Sequence, residues 1–431
     1  MLRSKLAGWG VLLVVVAFAE CKVYDESMLL EAGFAGSPPP AARDYGVGWW
    51  SGADPATSCY SARRPSAADR PATTSDADIG ALIFGIRTMR LGSRNLNGDL
   101  DPKAWQDIGF DLDGMCTNST TCPTSGEPKV SCKPTSASIP ADGSYCRDNN
   151  FGNLEYLIST TPDIQNRFAL SDPSFNCSIC KGAYNILFRI TGYNGEPNDS
   201  SIRIDIYPSP GLDQLKPVNC SGDTWDTSAC WTSDDRWEIQ STYVPSHTSA
   251  DNTGDSTLYD PSAFVRDGYV VASLPANTLF WFPGDRGVAL AFPLKLQGGI
   301  VTGKLVKDTN GQWSLEDGMI AGRLKATDAI EAFQMLGLCP GDALFAGAQL
   351  MANTNADVLS SGDTAPDATC DAISVGIAFT ASAAKFGSLA DVQPLVPCTG
   401  SADAGPGDSG STDGGSTDGG ANDAAADAHA D

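Results

Sequence analysis

Short runs of alternating apolar and polar residues fill most of the chain between residues 79 and 398. In the run at 201–211, Ile202, Ile204 and Ile206 share one parity and charged residues lie between them. This is the pattern of a strand with one buried face and one solvated face. Turns rich in Gly, Pro and Asn separate the runs, which favours an antiparallel fold over an α/β fold. Similar runs lie at 81–91, 185–195, 236–244, 268–274, 278–283, 288–296, 299–307, 313–324 and 372–381.

Two stretches late in the chain predict helices. Asp328 is placed to cap a helix, Glu331 follows it by three residues, and Gly337 is placed to end the helix. A second helix is expected at 341–353. The predicted fold is therefore mainly β, an antiparallel β-sandwich of the jelly-roll type with one or two packed helices and disulfide-stapled loops.

The first twenty residues have the pattern of a secretory signal peptide. Arg3 and Lys5 precede an apolar run of eight residues, Val11 to Phe18, which is too short to span a bilayer as a helix. Cys21 follows at once, where a bacterial lipoprotein carries its lipid. Glu20 departs from the Gly, Ala or Ser expected just before a lipidated cysteine. Two alternatives stay open: an envelope lipoprotein attached through lipid on Cys21, or free secretion into the periplasm or medium.

The cysteine count also indicates export. The chain has 13 cysteines, and setting Cys21 aside leaves an even number for disulfides in an oxidising compartment. Local pairing of the neighbours Cys116/Cys122, Cys132/Cys146, Cys220/Cys230 and Cys370/Cys398 is one possibility, but the connectivity stays open. Without a βαβ setting, a second cysteine pair or histidines nearby, the C-x-x-C of Cys177 and Cys180 is interpreted as structural. The predicted disulfide cysteines are Cys59, Cys116, Cys122, Cys132, Cys146, Cys177, Cys180, Cys220, Cys230, Cys339, Cys370 and Cys398.

An acidic, glycine-punctuated segment, Ile108 to Asn153, is the candidate site. Carboxylate, amide and carbonyl oxygens on a bent loop are the ligands that Ca²⁺ prefers. The spacing is not that of an EF-hand. The alternative is that these side chains form turns and face water. The predicted calcium ligands are Asp111, Asp113, Asp142, Asp148, Asn149 and Asn150.

Charge and the scarcity of histidine limit the function classes. A net charge of −24 argues against nucleic-acid binding, which requires a basic surface. The chain has 2 histidines, His247 and His429, and neither G-x-S-x-G nor H-E-x-x-H is present, so no catalytic motif points to an enzyme. With 52 acidic residues, a hydrolase that uses an Asp/Glu pair on polysaccharide stays as the alternative. Trp49 and Trp50 offer an aromatic surface for sugar stacking or, more commonly, core packing.

Composition divides the chain into four parts. Residues 1–20 are the signal peptide, and 21–78 are a proline-rich and polar tether. Residues 79–398 form the β-rich globular domain. The Asp/Gly/Ala-rich segment 399–431 lacks large apolar residues and is expected to be disordered.

Four strings of the sequence resemble a known group of proteins. They are CKVYDESMLLEAG after the signal peptide, IGFDLDGMCT, DNNFGN, and the pair RITGYNGEPND and YPSPG. They are similar to uncharacterised exported proteins, often predicted lipoproteins, of myxobacteria and related bacteria. The resemblance implies an envelope location and a β-rich domain, and it implies no activity.

The sequence thus predicts a non-catalytic surface protein, anchored to the envelope or secreted. Its most concrete version is a module that binds carbohydrate or matrix polymer with the help of Ca²⁺. The expected partners are the membrane, through lipid on Cys21, and a glycan or matrix polymer, but not nucleic acid.

Overall fold

A computed structural model describes residues 52–53, 60–72, 75–117, 130–136, 140–160, 171–220, 223–245, 254–276, 278–282, 292–335, 337–391 and 398. The predicted signal peptide with Cys21, the residues Trp49 and Trp50, and the predicted tail lie outside the described residues. Residues 60–72, part of the predicted tether, contact the globular domain. The Arg64 guanidinium donates to the Gly298 carbonyl at 2.8 Å, and the Arg70 guanidinium lies 5.0 Å from the Phe264 ring centroid.

Strands dominate the described part of the chain, and four α-helices accompany them. The strands are β1 (Gly52–Ala53), β2 (Tyr60–Ser61), β3 (Leu82–Arg90), β4 (Asn185–Thr191), β5 (Asp199–Ser209), β6 (Gly211–Leu212), β7 (Arg236–Gln240), β8 (Leu258–Arg266), β9 (Tyr269–Ser273), β10 (Thr278–Phe282), β11 (Phe292–Lys307), β12 (Trp313–Lys325), β13 (Ala372–Ala383) and β14 (Lys385–Ala390). The helices are α1 (Asn150–Ser159), α2 (Asp172–Lys181), α3 (Ala326–Met335) and α4 (Ala343–Thr354).

Eight strands close into an antiparallel barrel, in the order β11, β12, β13, β3, β4, β5, β8, β9 and back to β11. The 16-residue strand β11 makes closure possible because its first part pairs with β10 and its second part pairs with β9. The predicted β-sandwich is therefore wrong, although the mainly β class is correct. Alternation along a strand indicates which face is buried, but it does not indicate whether the two edges of a sheet pair with each other.

The interior of the barrel is filled by side chains of one parity, as expected for eight strands. Ile202, Ile204 and Ile206 belong to this interior cluster. Phe188 of β4 and Phe379 of β13 stack there with ring centroids 5.4 Å apart. The alternation that predicted β5 thus identified its inward face.

Two further layers cover the outside of the barrel. Ile108, Phe110 and Leu112 pack on outward-facing residues of β12 and β13, including Met319 and Ala378. On the other side, a small sheet of β14, β7 and β6 shares a cluster with outward-facing residues of β4 and β5. The acidic segment is therefore fastened to the barrel wall by its own apolar residues.

The helices gather at the barrel end where β12 and β3 finish and β13 begins. Leu154 of α1, Ala329 of α3 and Ala352 of α4 belong to the same apolar cluster as the barrel interior. The α3 helix begins at Ala326, so Asp328 lies inside its first turn and is not the predicted cap. None of the helices in the described ranges is long and apolar enough to cross a membrane.

The described cysteines form disulfides with distant partners. The pairs are Cys116–Cys146, Cys132–Cys370, Cys177–Cys220, Cys180–Cys230 and Cys339–Cys398. The prediction of a disulfide framework is confirmed for these ten residues. Local pairing of Cys132 with Cys146, Cys220 with Cys230 and Cys370 with Cys398 is wrong, and Cys116 pairs with Cys146 instead of Cys122. Cys59 and Cys122 lie outside the described residues.

Candidate metal centre

On the barrel wall the acidic segment runs beside the stretch that contains Ala62, and its own two arms lie side by side. The Asp111 amide donates to the Ala62 carbonyl at 2.9 Å, and the Asp148 amide donates to the Phe110 carbonyl at 2.9 Å. The Cys116–Cys146 disulfide joins the arm that carries Asp111 to the arm that carries Asp148. Carboxylates that are far apart in the segment are thereby brought to one place.

Three carboxylates converge at this place. Asp111, Asp113 and Asp148 each place an oxygen within 4.8 Å of the other two. All three side chains are buried, with 7%, 8% and 2% of their surfaces exposed. Two ligands of one Ca²⁺, each about 2.4 Å from the ion, lie at most about 5 Å apart. The spacing therefore fits a single ion.

Backbone amides fix the orientation of these carboxylates. The amides of Gly114 and Met115 donate to Asp111 Oδ1 at 2.7 Å and to Asp113 Oδ1 at 2.8 Å. These are the side-chain turns that the sequence offered as the alternative to a metal site. The hydroxyl of Ser61 also donates to Asp111 Oδ2 at 2.5 Å. The carboxylates thus form turns, but they face the interior and not water.

Asp148 is held in the same way, by a hydrogen bond of 2.6 Å from the Leu112 amide to its Oδ2. Burial raises the pKa of Asp148 well above its ordinary value, and the charges of Asp113, Asp142 and Asp111 raise it further. A carboxyl group in this position is costly to ionise unless a cation lies beside it. A divalent ion or a bound proton would relieve that cost.

Two more carboxyl groups enlarge the negative charge. Burial, followed by the charge of Asp113, raises the pKa of Asp142 well above its ordinary value. Burial raises the pKa of Asp357 to about 7, although hydrogen bonds from Ser374 oppose the shift. Asp357 was not predicted as part of this site, because it lies more than two hundred residues beyond the acidic segment.

Arg323, on β12, is a cation that acts on this cluster. Its Nη1 donates to the Leu112 carbonyl at 3.1 Å, and its charge opposes the rise in the pKa of Asp113. Burial lowers the pKa of Arg323 itself, as does the charge of Arg64. Among the described residues, Asp113, Asp142, Asp148 and Asp357 keep raised pKa values in spite of this guanidinium, which indicates that the buried carboxyl charge is not balanced.

The two predicted asparagine ligands are engaged elsewhere. Asn149 caps α1 by accepting from the Gly152 amide at 3.1 Å, and it also accepts from the Gly376 amide of β13 at 2.9 Å. Asn150 donates from its side chain to the Asn355 carbonyl at 2.6 Å. Asp142 accepts from the Thr117 amide at 2.5 Å and is not one of the three converging carboxylates. The structure therefore brings together three of the six predicted ligands.

The donor set suits a hard cation. Carboxylate oxygens without histidine or thiolate are typical of Ca²⁺ or Mg²⁺ sites, and flexible multi-oxygen coordination favours Ca²⁺. The same enclosure fits glycoside hydrolysis poorly, since that reaction requires two carboxyl groups that flank a bound sugar. His247 lies outside the described residues.

Comparison with known proteins gave no matching family model, no similar curated protein and no similar solved structure.

Proposed function

We propose that the protein is a non-catalytic exported module whose acidic segment is braced on the barrel wall by one calcium ion. Asp111, Asp113 and Asp148 are the proposed ligands. The observation that carries the proposal is the convergence of these three buried carboxylates within 4.8 Å. The shortage of compensating positive charge supports it.

The burial of the three proposed ligands favours a structural role for the ion. A calcium ion that bridges directly to a sugar needs coordination positions open to solvent, whereas Asp111, Asp113 and Asp148 are at most 8% exposed. The ion is therefore proposed to be structural, fixing the loops that a glycan or matrix polymer would contact. Direct coordination of a sugar by this ion is not part of the proposal.

The test is calcium titration of the purified mature protein, followed by calorimetry and by thermal unfolding. Saturation at about 100 times Kd is expected to stabilise the fold by about 2.7 kcal/mol, with Mg²⁺ much weaker. In Asp113→Asn the calcium-dependent rise in Tm is expected to disappear. The exposed Asp99→Asn is the matched control and is expected to retain the full rise.

Measurements on the metal-free Asp113→Asn variant help to distinguish a calcium site from a cluster of carboxyl groups that share protons. Removing one of several charges that repel one another is expected to raise the free energy of unfolding of the metal-free protein. A measured rise would also show that the variant folds. Absence of heat and of any Tm shift in the unchanged protein would sink the calcium proposal. The cluster would then be held by shared protons.

We also propose that the protein is exported and anchored to a bacterial envelope through Cys21. The signal-like residues 1–20 and the five long-range disulfides, which suit an oxidising compartment, support this proposal. Mass spectrometry of the mature N-terminus is expected to find a diacylglyceryl cysteine. An unmodified terminus at Glu20 would mean free secretion.

A further inference from the structure

A segment that precedes the first barrel strand lies across the barrel wall and reaches the proposed calcium site. It comprises residues 60–72, which we name the strap. A parallel β-bridge pairs its Arg63 with Asp111 of the acidic segment, and the Arg64 guanidinium donates to the Gly298 carbonyl of β11 at 2.8 Å. The far end of the strap reaches β5 and β8. These residues were assigned to the tether from the sequence, so their contacts were not predicted.

The near end of the strap is bonded to Asp111, one of the three proposed calcium ligands. The Ser61 hydroxyl donates to Asp111 Oδ2 at 2.5 Å, and the Asp111 amide donates to the Ala62 carbonyl at 2.9 Å. The Ala62 amide in turn donates to the Tyr145 carbonyl at 2.9 Å. Ser61 and Ala62 are both buried. The strap therefore contacts both the side chain and the backbone of a proposed ligand.

The far end of the strap is held by arginine side chains. The Arg70 guanidinium donates to the carbonyl groups of Ser200 on β5 and Ser262 on β8. Arg266 of β8 donates from its Nη1 to the Asp69 carbonyl of the strap at 2.9 Å. A guanidinium has several donors in a fixed fork, so one arginine can hold two carbonyl groups at once. None of these contacts involves a proposed calcium ligand.

The strap is held mainly by polar contacts and not by an apolar core. None of the six apolar clusters formed by the described residues includes a residue of the strap. Segments with few buried apolar contacts open more readily than the core of a protein. We therefore expect the strap to leave the barrel wall more readily than the barrel unfolds.

An ion at the proposed site would act on the contact between the strap and Asp111. Without the ion, the ionised carboxylates of Asp111, Asp113 and Asp148 repel one another, since each places an oxygen within 4.8 Å of the other two. This repulsion favours displacement of Asp111 from the position in which it bonds to Ser61 and Ala62. A bound cation removes the repulsion and fixes Asp111 in that position. Docking of the strap and binding of the ion thus require the same arrangement of one residue.

We propose that docking of the strap and binding of calcium are thermodynamically linked, each strengthening the other through Asp111. The inference rests on the proposed calcium site and adds a mode of regulation to it. Linkage is reciprocal: if calcium favours the docked strap by some factor, undocking of the strap lowers calcium affinity by the same factor. The strap joins residues 1–59, which include the proposed anchor Cys21, to the barrel. Calcium would therefore set how firmly that connection is held against the barrel wall.

Amide hydrogen exchange of the purified mature protein, with and without saturating calcium at one pH, tests the linkage. The Ala62 amide reports on docking because it donates to the Tyr145 carbonyl, and calcium is expected to slow its exchange at least fivefold. The Gly311 amide is the control, since it donates to the Asp308 carbonyl at 3.0 Å in the turn between β11 and β12. Its exchange rate is expected to be the same in both conditions. Calorimetric titration of the same sample measures calcium binding.

Arg70→Gln loosens the strap at the end that does not touch the proposed ligands. It is expected to speed exchange of the Ala62 amide in the calcium-free protein and to lower calcium affinity at least threefold. Loss of a positive charge alone would instead raise affinity for a cation, so the sign of the change separates linkage from simple electrostatics. Arg236→Gln removes an exposed arginine on β7, and this matched control is expected to leave both quantities unchanged.

Three outcomes would overturn the linkage. Calcium binding without slower exchange of the Ala62 amide would contradict it and leave the calcium site standing, whereas absence of calcium binding would overturn both. An Arg70→Gln protein that loses protection at Ala62 but binds calcium as tightly as the unchanged protein would also contradict it. If Arg70→Gln fails to fold, exchange of the Ala62 amide in the unchanged protein, with and without calcium, still decides the question.

Discussion

Gly376 shows how closely the acidic segment is packed on the barrel. It lies in β13, and a Cβ atom there would come within 2.7 Å of the Gly109 Cα atom and 3.2 Å of the Asn149 side chain. Gly376→Ala is therefore expected to destabilise the fold by about 1–3 kcal/mol, the usual cost of overpacking. Urea unfolding monitored by tryptophan fluorescence measures the change.

Gly347 provides the matched control for that substitution. It lies inside α4, and a Cβ atom there would meet nothing within 4 Å. Gly347→Ala is expected to stabilise the fold by about 0.5–1 kcal/mol, because alanine is the better helix former. Similar effects at both positions would contradict the tight contact between β13 and the acidic segment.

The raised pKa of Asp172 predicts that the free energy of unfolding of the ligand-free protein depends on pH. Its pKa is raised to about 6 from about 3.9 in the unfolded chain, so between these values the folded state binds more protons. Stability is therefore expected to fall as the pH rises from about 4 to about 6, by on the order of 2 kcal/mol. Asp172→Asn, which keeps the acceptor for the Leu91 amide, is expected to flatten this fall.

Two comparisons isolate the contribution of Asp172 to the pH dependence of stability. Asp99→Asn removes an exposed carboxylate and is expected to leave the slope unchanged. Glu155, whose pKa is also raised, is expected to supply part of the slope that remains in Asp172→Asn. A profile that rises between pH 4 and 6, in calcium-free buffer, would contradict the assignment.

At the scale of elements, the Cys116–Cys146 disulfide couples the two arms that carry the proposed calcium ligands. Its removal in the double variant Cys116→Ser, Cys146→Ser is expected to lower calcium affinity at least tenfold and stability by about 2–4 kcal/mol. The double variant Cys177→Ser, Cys220→Ser is expected to lose comparable stability and keep its calcium affinity, since that disulfide joins α2 to a different loop. Calorimetric titration compares the two, and equal losses of affinity would show that the disulfide does not position the ligands.

The sequence predicted elements better than it predicted their connections. Alternation located β5 and β13 closely, but the described part of the run at 288–296 and the run at 299–307 both belong to the single strand β11. Gly298 and Gly299 form an irregularity inside that strand and not a turn. The strand β8 escaped prediction because Pro261 lies within it, and proline is a poor indicator of a strand.

The helices α1 and α2 were not predicted, although residues typical of helix termini flank α2. Ser171 caps α2, Pro173 lies in its first turn, and Gly182 ends it with a left-handed backbone at φ 81°. The C-x-x-C motif of Cys177 and Cys180, which was interpreted only as structural cysteines, lies inside this helix. At the metal centre, Asp111, Asp113 and Asp148 were predictable because one segment contains them. Arg323 and Asp357 were not, because only the tertiary fold brings them there.

For the whole molecule, closure of the barrel makes a prediction about hydrogen exchange. The strand β9 pairs with β8 on one side and β11 on the other, so both sets of its amides are bonded. Amides of Tyr269–Ser273 are expected to exchange about as slowly as those of β12. The strand β10 pairs with β11 alone among the described strands, and half of its amides are expected to exchange rapidly. Rapid exchange of alternate amides in β9 would indicate an open edge instead of closure.

The pairing of β3 with β13 has a consequence for how the protein is made. These strands are neighbours in the barrel, yet Arg90 and its partner Ala378 are separated by about 290 residues. At about 5–20 residues per second, a ribosome needs roughly 15–60 seconds to deliver the second strand after the first. During that interval β3 can pair with β4 but lacks its partner on the other edge, and an open strand edge favours association with other chains. The barrel therefore cannot close before β13, its last strand in the sequence, has been synthesised.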